Sequence, residues 1–198
     1  MPSEKVWTRN FLLIILINFL VFMNHIMVLS TFPMFLEQVL GLNEAVAGAA
    51  AFAFSAVMLF LVRVTIGKLA DKKGEGIFVY SCNAAMLAAF LLLAFAPGNF
   101  SFYLAAVLAG YAFGGIEPAL QSMAVHIAPP ERRGSANSTF LCAYDIGLGG
   151  GGGIAGVLIS ALGYRSMYLI LSLATVVSVL LYVFWGRHHR SSFSRTLK

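Results

Sequence analysis

Two acids stand where charge is costly. Asp145 and Glu117 both fall in stretches made almost entirely of apolar residues and glycine. Asp145 lies about ten residues into its stretch, roughly 15 Å by helical rise. Glu117 lies at similar depth from the other end of its own, next to Pro118. Proline removes a backbone donor and can leave a carbonyl free. A carboxyl in a low-dielectric setting is suited to carrying a proton near neutral pH or to contacting a polar solute. A third polar patch comes from Asn18, Asn24 and His25 among Phe and Met. Asn18 and His25 are seven residues apart and share a helical face. The alternative for all of these is a structural role, hydrogen-bonded between helices.

A fourth group is a spacing pattern. Gly67-Lys-Leu-Ala-Asp71-Lys72-Lys73-Gly74 ends the second apolar stretch. Glycine at 67 allows close approach of a neighbouring helix. Asp71 is one turn further on, on the same face, placed to accept hydrogen bonds at a helix N-terminus or to pair with a base. Gly74 permits the left-handed backbone that stops a helix. Such a loop can latch one conformation and release it in another. Arg132 and Arg133 are candidates for an equivalent latch further along. Arg63 has two readings, a partner of Asp71 reached through a neighbouring helix or a side chain snorkelling to headgroups.

Glycine is concentrated in one place. Seven of the twelve residues Asp145–Gly156 are glycine, including Gly147-x-x-x-Gly151 and Gly152-x-x-x-Gly156. Both pairs suit close helix packing. The five consecutive glycines from Gly149 to Gly153 exceed what packing needs, and predict local bending. A phosphate cradle is excluded, because no Lys-Ser/Thr follows. Cys82 and Cys142 form no CxxC pair and lie in apolar stretches, so they read as buried, inert thiols. No metal or cofactor is implied.

The elements that must position these groups follow from composition. Of 198 residues, 60% are hydrophobic and 11% charged, whereas a soluble domain is about 25% charged. Soluble, disordered and disulfide-framework classes are thereby excluded, leaving an all-α polytopic membrane protein. A membrane-crossing helix needs ~20 apolar residues. Runs without formal charge predict six spans, at about 11–36, 45–66, 77–96, 101–127, 136–161 and 166–186, with Pro97-Gly98-Asn99 as the turn between the third and fourth. The first run is longer than a signal-peptide core and lacks a small-x-small exit, so it reads as a retained helix. With six spans, twelve bases fall on one side and only Arg165 on the other. Basic loops stay cytoplasmic, giving both termini inside. The net charge of +5 is then a topology signal and not a nucleic-acid footprint.

The pattern G-x-x-x-D-K-x-G at Gly67–Gly74 resembles the loop signature of the major facilitator superfamily of secondary transporters. Glu75 and Gly76 stand where that signature has further bases. Positions 107–160 resemble the fourth-to-fifth helix region of bacterial facilitator-type exporters of drugs or sugars, and are closer to the second six-helix half of such proteins. The relevant residues are Gly110-x-x-x-Gly114-Gly115-Ile-Glu117-Pro118, Pro129-Pro130-Glu131-Arg132-Arg133-Gly134 and Tyr144-Asp145-Ile-Gly147. The opening helix, with Asn18 and Pro33, resembles a first-half beginning. The Gly-Pro of exporter fifth helices is missing from Gly149–Gly153. The resemblance implies proton-coupled transport of a small solute across the bacterial inner membrane. It also implies two six-helix halves, and this chain has one. Its partners would be the bilayer, a solute, and either a second copy or a second six-helix half. The alternative is an incomplete module without transport activity. An intramembrane protease is disfavoured, since neither a Gly-x-Ser with a partner histidine nor paired aspartates occur. A channel subunit has no filter-like sequence to support it.

Overall fold

The computed structural model describes residues 7–73, 76–95 and 98–193, with side chains for all but 44, 66–73 and 185–193. Over the described residues the chain is helical almost throughout. The helices are α1 (Arg9–Leu40), α2 (Glu44–Lys73), α3 (Gly76–Phe95), α4 (Asn99–Ile127) and α5 (Arg133–Phe193), with a short 3-10 turn at Pro130–Arg132. All five are long and apolar enough to cross a membrane.

The ends of these helices are set by local chemistry. Thr8 caps α1, its hydroxyl accepting from the Phe11 amide at 3.2 Å. Gly41 ends α1 at φ 64, with the Leu42 amide returning to the Leu36 carbonyl at 3.1 Å. Asn43 then starts α2, its Oδ1 accepting from Ala45 at 3.0 Å and Val46 at 3.3 Å. The expected break at Pro97-Gly98-Asn99 falls between α3 and α4.

α5 breaks where the fifth and sixth spans were expected to part, and it keeps helical backbone through Gly149–Gly153, where local bending was expected. Lipid offers no substitute for a lost backbone hydrogen bond, which favours keeping every intrahelical one. The interruption comes at Gly163, whose φ 77 and ψ 167 are not helical. Gly163 divides the element into a first arm (133–162) and a second arm (164–193).

α1 is central. It packs on α5, α4 and α2, while α3 packs on α4 and α5, and α2 rests mainly on α4. The interior is filled by aromatic residues with no exposure at all, among them Phe11, Phe32, Phe90, Phe102 and Tyr168. Phe35 stacks on Phe102 with centroids 6.0 Å apart and meets Tyr168 edge-on. The outward faces of α2 and of the first arm of α5, here called the open side, expose Phe52, Phe54, Val57, Phe60 and Val64, and Leu141, Ile146, Ile154 and Val157. α3 and the second arm of α5 also turn large apolar side chains outward, among them Ile77, Phe95, Leu173 and Phe184. Apolar surface of this kind needs lipid or another protein against it.

Candidate functional site

The seam between α2 and α4 is a register of three contacts. A Cβ added at Gly110 would collide with the backbone of Ser55, and one at Gly114 would stand 2.8 Å from the Leu59 carbonyl oxygen. Only glycine lets the two backbones approach this closely. Three residues beyond Gly114 is Glu117, and four beyond Leu59 is Arg63. Their side chains form an ion pair. Ser55 with Gly110, Leu59 with Gly114 and Arg63 with Glu117 therefore step down the same seam in parallel.

Arg63 thus has a partner that neither sequence expectation named, Glu117; the side chain of Asp71 lies outside the described residues. The side chain of Glu117 is 20% exposed and that of Arg63 44%. Removing one member would leave the other charge uncompensated in apolar surroundings. Spacing alone did not single out this contact, because it depends on which segment of α2 the glycines of α4 touch. An acid three residues after Gly110-x-x-x-Gly114 meets a base four residues after the segment those glycines touch.

Asp145 is placed differently. It is exposed on the first arm of α5, and no ion pair joins it to a described residue. Its neighbour Tyr144 packs against Phe22 of α1, with centroids 4.1 Å apart. Asp145 shares its face with Gly149, Gly153 and Gly156. A Cβ at any of these three would meet nothing within 4 Å. The opposite face is tight. A Cβ at Gly151 would collide with Ile26 and stand 3.0 Å from the Met23 carbonyl, and one at Gly147 would lie 3.2 Å from the Phe19 carbonyl. Of the two expected glycine pairs, Gly147/Gly151 packs closely. Gly152/Gly156 does not, Gly152 meeting only Ser30 at 3.9 Å.

The α1 candidates are buried between helices. Asn18 is fully buried and donates from Nδ2 to the Phe140 carbonyl at 3.0 Å. His25 is buried and lies flat on Phe113, centroids 3.5 Å apart and planes 3° from parallel. The structure therefore does not bring them together with Asp145 or Glu117. Each joins α1 to a different helix. Gly67, Asp71, Lys72 and Gly74 lie outside the residues whose side chains are described. Arg132 and Arg133 are exposed at the start of α5. Nearby, Gln121 of α4 donates to Asn137 Oδ1 of α5 at 2.8 Å. His126 is hydrogen-bonded through Nδ1 to Ser122 at 3.1 Å. Cys82 is buried as expected, but Cys142 is exposed, because it falls on the outward face of the first arm.

Comparison with known proteins gives a consistent result. The sequence matches the family model of the Major Facilitator Superfamily over residues 14–198. It is 35% identical over 104 residues to an uncharacterized MFS-type transporter of Burkholderia mallei (strain SAVP1), covering 52% of this chain and 24% of that protein. It is 34% identical over 101 residues to one of Pseudomonas aeruginosa (strain LESB58), covering 51% of this chain and 25% of that protein. The fold is similar to that of a peptide transporter, POT, solved in complex with sulfate. That match has a TM-score of 0.79 and 15% identity, and it covers 92% of this chain but 39% of the transporter. The chain thus spans well under half the length of the proteins it matches.

Proposed function

The chain belongs to the major facilitator superfamily, and from that premise we propose that it is one six-helix half of a secondary transporter. It is an integral membrane protein whose apolar helices cross the bilayer. In this reading α5 crosses twice, turning at Gly163. Its 61 residues would measure about 90 Å as one straight helix, three times the hydrocarbon thickness. Six crossings with the basic loops inside place both termini in the cytoplasm of a bacterial cell, with the protein in the inner membrane. A second copy or a second six-helix half covers the open side, and a small solute passes between the two.

The observation that carries this reading is the position of the two acids. Both sit on long apolar helices, Asp145 exposed and Glu117 partly exposed and held by Arg63. So placed, a carboxyl is reachable by a proton or a polar solute. We assign proton coupling to this pair of groups. Protonating Glu117 would release Arg63 and loosen the α2–α4 seam at one end. Asn18 and His25 act from beneath, seating α1 against α5 and α4. Gly67, Asp71, Lys72 and Gly74, with Arg132 and Arg133, would latch the cytoplasmic ends.

The test is flux in proteoliposomes under an imposed pH gradient, with a panel of small labelled solutes. Wild type should accumulate or expel at least one of them, while Asp145→Asn and Glu117→Gln should lose the dependence on the gradient. Absence of flux above empty vesicles for a sample that is monomeric by cross-linking would sink the proposal.

A further inference from the structure

Three buried polar atoms on α1 have no hydrogen-bond partner among the described residues: Asn18 Oδ1, Asn24 Oδ1 and His25 Nδ1. Asn24 opens on a cavity. That cavity is small, ≈ 10 Å³, and its lining includes Asn24 of α1, Cys82 and Asn83 of α3, and Thr175 of the second arm of α5. Asn24, Asn83 and Thr175 are 2–3% exposed. They sit near the middles of their helices, deep in the apolar part of the bundle, where an orphaned acceptor is expensive.

The existing hydrogen bonds define what is missing. Asn24 Nδ2 donates to Thr175 Oγ1 at 3.4 Å, the long end of a hydrogen bond. Thr175 donates its own proton to the Leu171 carbonyl at 2.9 Å. Asn83 Nδ2 donates to the Val79 carbonyl at 2.7 Å. Asn24 Oδ1 is left needing a donor, and none of these groups supplies it. The cavity is about the size of one water-sized probe, the smallest space a water needs, and it presents the two to four polar partners a buried water uses. A cation of similar radius would fit the space, but no carboxylate lines it, and an unpaired buried charge is far costlier than a neutral guest.

We propose that this cavity is a binding site for one ordered water, which donates to Asn24 Oδ1 and joins the Asn83 and Thr175 side chains across three helices. The site pins α1, α3 and the second arm of α5 as one body. It draws no polar group from α2 or from the first arm.

The experiment uses the full chain in lipid nanodiscs. A density map fine enough to show ordered waters should contain a peak within hydrogen-bond distance of Asn24 Oδ1 and of Asn83 or Thr175. Thermal unfolding of Asn24→Leu should lower Tm by about 2–4 °C, the shift that roughly one hydrogen bond produces in a chain of this size. Adding Thr175→Val to that variant should lower Tm by less than Thr175→Val does alone, because both changes dismantle the same site. Exchange of choline for sodium should leave Tm unmoved. A cavity without the peak, an unchanged or raised Tm for Asn24→Leu, or stabilisation by sodium would each overturn the assignment.

Discussion

The same residue does opposite things on the two sides of this bundle. Gly110, Gly114, Gly147 and Gly151 sit in seams where an added Cβ would press on a neighbouring helix. Gly149, Gly150, Gly153 and Gly156 face nothing within 4 Å. Where two helices meet, glycine is a contact that the fold requires. On the outward face of the first arm the fold makes no use of it, and a strip of bare backbone remains beside Asp145. Helix propensity argues against leaving so many glycines exposed, since each costs about 1 kcal/mol relative to alanine. We take their presence as support for a second surface, solute or protein, that approaches this face closely.

The comparison breaks most readily at Gly110. Its would-be clash is with the Ser55 backbone, which cannot swing aside. Gly110→Ala should cost about 3 kcal/mol, lowering Tm by roughly 10 °C in a fluorescence-detected unfolding scan. An unchanged Tm would mean that the α2–α4 seam is looser than described. Arg63→Ala should come next, at about 2 kcal/mol, because it strands Glu117 in apolar surroundings. The double variant Arg63→Ala with Glu117→Gln should recover part of that loss, and a double-mutant cycle over the four proteins measures the pair directly. At Gly151 the obstruction is chiefly the end of the Ile26 side chain. Gly151→Ala should therefore cost about 1–2 kcal/mol, and Ile26→Ala in the same chain should relieve much of it. The smallest effect belongs to the open side. Gly153→Ala should leave Tm unchanged or raise it, by up to about 1 kcal/mol in stability. A large destabilisation there would erase the distinction between the two faces.

Much of the architecture was legible in the sequence because it depends on one-dimensional signals. Uncharged runs located the helices, and the turn at Pro97-Gly98-Asn99 separated α3 from α4. The spacing Gly147-x-x-x-Gly151 announced a close helix contact. What was not legible depends on which face of a helix meets which neighbour. Arg63 could reach Asp71 only through a neighbouring helix, and only the parallel register of α2 and α4 reveals Glu117 as a partner. Gly152-x-x-x-Gly156 has the same spacing as the packed pair but is rotated about 100° around the helix, and it meets almost nothing. The polar patch on α1 read as one surface, whereas Asn18, Asn24 and His25 point to three different neighbours. Cys142 looked buried because its stretch is apolar, and on a helix of the outer layer an apolar stretch need not be enclosed.

The central claim is that the face carrying Asp145, Gly149 and Gly153 lines a water-accessible solute path. Cysteine accessibility tests this most directly. With Cys82 and Cys142 both replaced by serine, Gly149→Cys and Gly153→Cys variants in membrane vesicles would be treated with a charged, membrane-impermeant thiol reagent. Both should react at least tenfold faster than an Ala155→Cys variant, whose position is buried, and a transported solute should slow them. Reaction no faster than at position 155 would contradict the account.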